Sequence, residues 1–237
     1  MRFKALTDKG KKRSANEDNY FINSDIDFFM VADGMGGHAA GEVASQTAVD
    51  FAADFNFELS NPLASLSDLT FEINQAIIKK SEQKIDYQGM GTTFAAVIVC
   101  NQRLYYVNLG DSRIYLYNKS NKTLKKISED HSLVADLLRK GKITKEEAFN
   151  HPKKNIVTQA LGLESELDLD KGQLDISGDE YILICTDGLT DMIREEEIKA
   201  VFNKHNNVEK VADELLQEAL SSGGFDNITL IVAGFNG

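Results

Sequence analysis

Apolar and polar positions along this chain follow two kinds of pattern. Short apolar runs bounded by turn residues predict strands. Longer segments with apolar residues three and four positions apart predict amphipathic helices. The predicted strands cover residues 2–7, 20–23, 28–32, 92–100, 104–109, 114–117, 124–127, 167–176, 181–185 and 228–233. The predicted helices cover 44–55, 66–84, 195–202 and 208–220, and residues 132–155 are also helical, but more basic and less apolar.

The order of these elements predicts the fold class. Helices come in sequential pairs and do not follow every strand, which disfavours a doubly wound parallel sheet. The polar turns between residues 92 and 127 are short, so neighbouring strands there are expected to pair antiparallel. We therefore predict an α+β fold, a central sandwich of two antiparallel β-sheets with helices on both outer faces.

Composition narrows the classes of protein that the chain can be. Its 237 residues, 42% of them hydrophobic, suit one domain over 1–237. A net charge of −11 argues against nucleic acid or an anionic membrane as the main partner, and no apolar run is long enough to span a bilayer. Cys100 and Cys185 lie in apolar runs, so we expect free, buried thiols and a cytoplasmic protein.

Four aspartates occur where predicted strands begin or end, and three of them adjoin a glycine. Asp33 follows FFMVA, Asp111 follows LYYVNLG, Asp187 follows YILICT, and Asp226 precedes NITLIVA. Taken singly, each could be an ordinary solvated turn. If the strand ends converge, however, the carboxylates repel one another unless they are protonated or hold a cation. With no His or Cys at ligand spacing, the pattern favours a hard ion such as Mg²⁺ or Mn²⁺.

Other polar residues near these strands are candidates for roles beside a metal. Arg13 precedes a predicted strand, and its planar guanidinium matches two oxygens of a phosphate. Glu17 and Asp18 follow it, and a solvated turn is an equal alternative for Glu17. His38 lies in the glycine-rich loop after Asp33 and could donate a proton, or it could be a loop residue with no role.

An ordered series of motifs resembles the bacterial metal-dependent Ser/Thr protein phosphatases of the protein phosphatase 2C family. The series runs from residue 7 to residue 232, nearly the whole chain. The motifs are TDKGKKRSANEDN, VADGMGGHAAGEVAS, GTTFAAVIV, VNLGDSRIYLY, ISEDHSLVADLLRKGKIT, HPKKNIVTQALG, ICTDGLTD and GFDNITLIV.

This resemblance implies a role for each candidate residue. Two Mn²⁺ or Mg²⁺ ions would be bound, bridged by Asp33. The carbonyl of Gly34 would ligate one ion, and Asp187 and Asp226 would hold the other. Asp18 and Glu17 would hold metal-bound waters. Asp111, Asp187 and Asp191 resemble the acids of a third, weaker metal position. Arg13 corresponds to the phosphate-binding arginine, and His38 corresponds to a proposed general acid.

The resemblance also implies the reaction and its partners. A metal-activated hydroxide would attack phosphoserine or phosphothreonine in proteins, with no protein nucleophile. The expected partners are phosphorylated proteins, including a cognate Ser/Thr kinase, and the expected state is a monomer. Residues 132–155 resemble the family's variable flap, with a surplus of basic residues suited to phosphorylated partners or simply to solvent. Lys154 and Gln159 stand where relatives often carry arginine.

Other phosphatase chemistries fit the sequence less well. Asp25 and Asp27 form an Asp-x-Asp pair, but the apolar strand follows the pair, whereas a haloacid-dehalogenase-type enzyme needs it to come first. Neither cysteine begins a Cys-x5-Arg loop, and there is no P-loop motif. The alternative from another class is a non-catalytic phosphoprotein-binding module on the same fold. The presence of all three acids expected to bind metal, Asp33, Asp187 and Asp226, favours an enzyme over such a module.

Overall fold

The computed structural model describes residues 1–37 and 40–235. The strands are β1 (Arg2–Asp8), β2 (Asp18–Asn23), β3 (Phe28–Met35), β4 (Gly91–Thr92), β5 (Phe94–Cys100), β6 (Arg103–Leu109), β7 (Arg113–Asn118), β8 (Thr123–Lys126), β9 (Asp170–Asp175), β10 (Glu180–Cys185) and β11 (Ile228–Gly234). The helices are α1 (Ala40–Asp54), α2 (Pro62–Ser81), α3 (Leu133–Arg139), α4 (Lys145–Phe149), α5 (Asp187–Thr190), α6 (Glu195–Lys204) and α7 (Val208–Ser221).

The strands form two antiparallel sheets, as the sequence predicted. One sheet has the order β1-β11-β10-β7-β8, and the other has the order β2-β3-β5-β6-β9 with the short β4 paired to β3. Helices α1 and α2 pack on the second sheet, and α6 and α7 pack on the first. The predicted α+β sandwich with helices on both outer faces is therefore confirmed.

Side-chain alternation on β3 shows why a sandwich forms. Phe28 and Met30 are buried against α1 and α2, whereas Phe29 and Val31 are buried between the two sheets. A strand that is apolar on both faces needs a covering layer on each side. The layer between the sheets also contains Ala95, Val97, Leu104, Ile114, Ile182, Ile184, Ile231 and Ala233.

One connection departs from the sequence prediction. The short link between β6 and β7 was expected to join antiparallel neighbours, but it carries the chain from one sheet to the other. Gly110 makes this turn possible with a φ of +103°, in the region that favours glycine. Asp111 lies in this crossing segment, so the turn decides where its carboxylate is placed.

The helices begin and end where local signals allow. Asn61 caps α2 by accepting a hydrogen bond from the backbone of Ala64, with Pro62 as the first helical residue. Thr144 and Glu147 form a capping box at the start of α4, in the predicted flap. No described helix has the length and apolar character needed to cross a membrane.

The layer between the sheets should dominate the stability of the fold. Ile182 is fully buried there, so Ile182→Ala should lower the free energy of unfolding by about 2–5 kcal/mol, measured by urea denaturation. Ile156, with 44% of its surface exposed, provides the matched control, and Ile156→Ala should change that free energy by less than about 0.5 kcal/mol. Equal losses for the two variants would contradict this assignment of the core.

Candidate metal centre

One edge of the sandwich gathers acidic residues from both sheets. Asp18 is the first residue of β2 and lies opposite Asp33 on β3. Asp187 follows β10 as the first residue of α5, and Asp226 lies just before β11. Because β10 and β11 are antiparallel neighbours, the end of one and the start of the other share this edge. The structure thus brings together acids that are far apart in the sequence.

Asp33 differs in one respect from the sequence interpretation. It does not follow the end of its strand, since β3 continues to Met35 and pairs with β4 there. The backbone carbonyl of Asp33 accepts hydrogen bonds from the backbone N–H of Thr93 at 2.9 Å and from the hydroxyl of Thr92 at 2.9 Å. Asp33 is therefore held inside a paired segment, which makes its position more rigid than a loop would.

Asp18 connects the two sheets at this edge. Its Oδ2 accepts a hydrogen bond at 2.8 Å from the hydroxyl of Thr186, which belongs to the other sheet's segment before α5. Its Oδ1 is buried and has no hydrogen-bond partner among residues 1–37 and 40–235, and the same is true of Oδ1 of Asp187. A buried carboxylate oxygen without a donor is costly. A cation or its water ligands would satisfy both oxygens.

Burial and mutual repulsion disfavour the ionised form of these acids. Burial, followed by the charges of Asp18, Asp187 and Asp111, raises the pKa of Asp33 well above its usual range. Burial is also the first cause that raises the pKa of Asp18 and of Asp187 to about 7, with weaker opposition from hydrogen bonds.

Asp111 shows the same pKa shift. Burial and the charges of Asp187 and Asp130 raise its pKa well above its usual range, partly offset by Arg113. A bound cation would favour the ionised form of each of these carboxyl groups.

Arg13 provides positive charge at the edge of this group. Its Nη2 lies 2.6 Å from Oδ2 of Asp226, in a partly exposed ion pair. The hydrogen bond to Asp226 raises the pKa of Arg13. Among residues 1–37 and 40–235, no three His, Cys, Asp or Glu side chains converge closely enough to ligate one ion. Asp18 and Asp111 are buried at this edge, whereas Asp33, Asp187 and Asp226 are partly buried.

Gly34 and Glu17 lie where β2, β3 and α1 meet. The backbone N–H of Gly34 donates to the carbonyl of Glu17 at 3.2 Å. A Cβ at Gly34 would lie 2.2 Å from the carbonyl oxygen of Gly41, at the start of α1, so only glycine fits there. Glu17 is partly buried, and burial raises its pKa.

The other predicted site residues have different surroundings. Asp191 lies at the end of α5, and its Oδ2 is 2.9 Å from Nζ of Lys154. This ion pair attaches the predicted flap to the short helix that begins with Asp187, and the charge of Asp191 contributes to the raised pKa of Asp187. His38 lies outside the described residues.

Sequence reasoning gave no role to Asn227, which the structure places at the centre of this edge. Its Oδ1 accepts a hydrogen bond from the backbone of Glu17 at 2.8 Å. Its Nδ2 donates to the carbonyls of Lys9 at 3.0 Å and Ala15 at 2.9 Å. It therefore fastens the loop that carries Arg13 to the start of β11. Its position directly after Asp226 was the only available signal.

The fold and this acidic edge beside an arginine are those of a metal-dependent phosphatase. The family model for protein phosphatase 2C matches residues 8–222. The serine/threonine phosphatase stp of Listeria welshimeri is 41% identical, with 97% of this chain and 94% of that protein covered.

Solved structures agree with this family. The Mycobacterium tuberculosis serine/threonine phosphatase PstP/Ppp has a TM-score of 0.92 at 35% identity, covering 100% of this chain and 99% of that one. A catalytic domain of PstP solved with two manganese ions has a TM-score of 0.88 at 34% identity, covering 98% and 97% of the two chains. The chain belongs to the protein phosphatase 2C family.

Loss of the Asn227 side chain should loosen the site from the sandwich. Asn227→Ala leaves one N–H and two carbonyls without their partner, so the free energy of unfolding should fall by about 1–3 kcal/mol in urea denaturation. Asn56 is exposed, and Asn56→Ala should change the same quantity by less than about 0.5 kcal/mol. A stability for Asn227→Ala equal to that of Asn56→Ala would show that the loop is fastened elsewhere.

The raised pKa values of Asp18 and Asp187 predict how the stability of the metal-free protein, kept in EDTA, depends on pH. Between pH 4 and pH 7 the native protein keeps protons on Asp18 and Asp187 that the unfolded chain releases. Its free energy of unfolding in EDTA should therefore decrease across this range, by more than about 1 kcal/mol. Asp18→Asn should make the dependence shallower. Urea denaturation at several pH values measures it, and stability that rises steadily towards pH 7 would contradict the assignment.

Proposed function

We propose that this chain hydrolyses phosphoserine and phosphothreonine in proteins with a pair of divalent cations bound at the Asp18, Asp33, Asp187 and Asp226 edge. The class of activity follows from the family, so the chain is a metal-dependent serine/threonine protein phosphatase. The observation that carries the proposal for the site is that, in the part of the chain that the structure describes, the buried Oδ1 atoms of Asp18 and Asp187 have no hydrogen-bond partner.

The donor atoms at this edge suit hard metal ions. Asp33 would bridge the two ions, the carbonyl of Gly34 would ligate one, and Asp187 and Asp226 would hold the other. Asp18 and Glu17 would accept hydrogen bonds from the surrounding water ligands. Oxygen donors of this kind suit both Mg²⁺ and Mn²⁺. The two manganese ions in the PstP structure support a pair of ions, with Mn²⁺ as one suitable metal.

A third, weaker metal position is part of the same proposal. Asp111, Asp187 and Asp191 would supply its acids. The charges of Asp187 on Asp111 and of Asp191 on Asp187 both raise the neighbouring pKa, which supports their proximity. Nζ of Lys154 is paired with Oδ2 of Asp191, so an ion at this position would compete with that lysine for the carboxylate.

Bound metal ions would lower the pKa of a water molecule, so that hydroxide is available to attack phosphorus at neutral pH, and would offset the negative charge of the phosphate oxygens. Arg13 would bind two phosphate oxygens through its guanidinium, and its contact with Asp226 supports a position beside the metal centre. Asp33, Asp187 and Asp226 would orient the phosphate by holding the ions. His38 would donate a proton to the leaving serine or threonine oxygen.

The flap provides exposed positive charge for phosphorylated partners. Lys154 pairs with Asp191, and Lys145 lies 3.7 Å from Glu195. Lys140, Lys142 and Lys153 are exposed and, within the described part of the chain, form no ion pair. We propose that these three lysines contact acidic or phosphorylated protein surfaces, including a cognate Ser/Thr kinase.

The state and location of the enzyme belong to the same proposal. Both cysteines are free thiols, Cys185 buried and Cys100 partly so, which suits a reducing compartment. We propose a monomer that acts in the cytoplasm.

The experiment is phosphate release from a phosphothreonine peptide with Mn²⁺, with Mg²⁺ and with EDTA. The wild type should require metal, and Asp33→Asn or Asp226→Asn should lower turnover by more than about a hundredfold, because a ligand charge is lost. Asp213 is an exposed acid on α7, and Asp213→Asn should keep full turnover. Circular dichroism establishes that each variant is folded. Folded wild type with no metal-dependent release would favour a phosphoprotein-binding module instead.

A further inference from the structure

Thr93 interrupts the regular pairing between β3 and its neighbours. Its backbone N–H donates to the carbonyl of Asp33 at 2.9 Å, as expected in an antiparallel pair. In return, the backbone N–H of Asp33 donates to the side-chain Oγ1 of Thr93 at 3.0 Å. A side-chain hydroxyl thus accepts the hydrogen bond that a backbone carbonyl would accept in a regular ladder, and the backbone position of Asp33 depends on that hydroxyl.

The same hydroxyl contacts the segment that crosses between the sheets. Oγ1 of Thr93 lies 2.6 Å from Oγ of Ser112, and both side chains are fully buried. Ser112 directly follows Asp111. A Cβ at Gly110, on the other side of Asp111, would lie 2.6 Å from Cγ2 of Thr93. Thr93 therefore touches the residue on each side of Asp111 while it holds Asp33.

Asp33 and Asp111 repel each other when both are ionised. Thr93 contacts both the backbone of Asp33 and the two residues that flank Asp111, so the segments that carry these acids lie side by side. Repulsion of this kind would separate the two segments unless neutral contacts hold them together. The hydroxyl pair of Thr93 and Ser112 is such a contact, since it joins the two segments with no charge of its own.

We propose that Thr93 and Ser112 are positioning residues that hold Asp33 and the Asp111 segment at the separation that metal binding requires. In this proposal neither hydroxyl binds the metal or the phosphate directly. This inference rests on the proposed metal centre. It predicts that loss of either hydroxyl weakens metal binding and turnover but does not change how well a small phosphate ester binds.

Two variants separate the hydroxyl of Thr93 from its shape, and a third serves as a control. Thr93→Val keeps the size of the side chain and removes the hydroxyl, whereas Thr93→Ser keeps the hydroxyl and removes the methyl group. The matched control is Thr70, which is also fully buried and donates its hydroxyl hydrogen bond to the carbonyl of Leu66 within α2. Thr70→Val removes a buried threonine hydroxyl outside the metal centre.

Mn²⁺ affinity is the main readout, measured by electron paramagnetic resonance of the free ion, and it does not depend on turnover. Thr93→Val should bind Mn²⁺ at least about tenfold more weakly than wild type, as other residues that orient metal ligands do. Thr93→Ser should recover most of this affinity. With p-nitrophenyl phosphate at saturating Mn²⁺, Thr93→Val should lower kcat and leave KM within about twofold.

Ser112→Ala tests the connection to Asp111 by itself and also serves if Thr93→Val fails to fold. It should weaken Mn²⁺ binding several-fold, because the bond between Asp33 and Thr93 remains while the link to the crossing segment is lost. Thr70→Val should bind Mn²⁺ as wild type does. Circular dichroism and urea denaturation follow the fold of each variant.

Several results would overturn the inference. One is wild-type Mn²⁺ affinity in Thr93→Val or in Ser112→Ala. Another is a loss in Thr93→Ser as large as in Thr93→Val, which would mean that packing against Gly110 matters and the hydroxyl does not. If wild type itself neither binds Mn²⁺ nor releases phosphate, the proposed function fails and this inference fails with it. The wild-type control distinguishes that result from the others.

Discussion

The structure depends on the burial of several carboxylates of like charge at one edge of the sandwich. Asp18, Asp33, Asp111 and Asp187 are all held where burial disfavours their ionised forms. An apolar replacement would fold with less strain, because a buried charge without a partner is costly. A protein keeps such an arrangement when a cation compensates it, and the family to which the chain belongs is metal-dependent. The energetic cost in the absence of metal and the affinity for metal thus have one origin.

Neutral hydrogen bonds hold these acids in place without neutralising them. Thr186 donates to Asp18 across the two sheets, Thr93 accepts from the backbone of Asp33, and Asn227 fastens the loop before β2. Hydroxyl and amide groups suit this task because they orient a carboxylate and leave its charge available to a metal. A lysine or arginine in their place would compete with the cation. Arg13 contacts Asp226 at the partly exposed rim, where a phosphate could reach it.

The flap reaches the same centre through its own contacts. Arg194, just before α6, makes two hydrogen bonds to Glu146 on α4 and lies over the ring of Phe149. Lys154 reaches Asp191 at the end of α5. The pair of Arg194 and Glu146 is exposed, so it contributes little stability and is screened by salt, whereas the pair of Lys154 and Asp191 is partly buried. These two pairs connect the predicted flap to α5 and to the start of α6.

Much of this protein could be predicted from local sequence. The periodicity of apolar residues predicted the order of strands and helices, because side chains on a half-buried element repeat with its geometry. Family motifs made Asp33, Asp187 and Asp226 candidate metal ligands, since each lies in a short, distinctive segment, and that role stays a prediction. The break at Thr93 and the crossing at Gly110 were missed, because an apolar run does not show which strands will pair.

Only the tertiary structure decided which groups meet. Asp18 and Thr186 are far apart in the sequence, and so are Asn227 and the Glu17 backbone, yet each pair is joined by a hydrogen bond. Sequence patterns encode burial and local conformation residue by residue. Contacts across the sandwich arise only when two sheets pack in one register. For that reason the sequence by itself determined the family and the layers and gave the candidate acids, whereas packing decided which neutral side chains contact the segments that carry those acids.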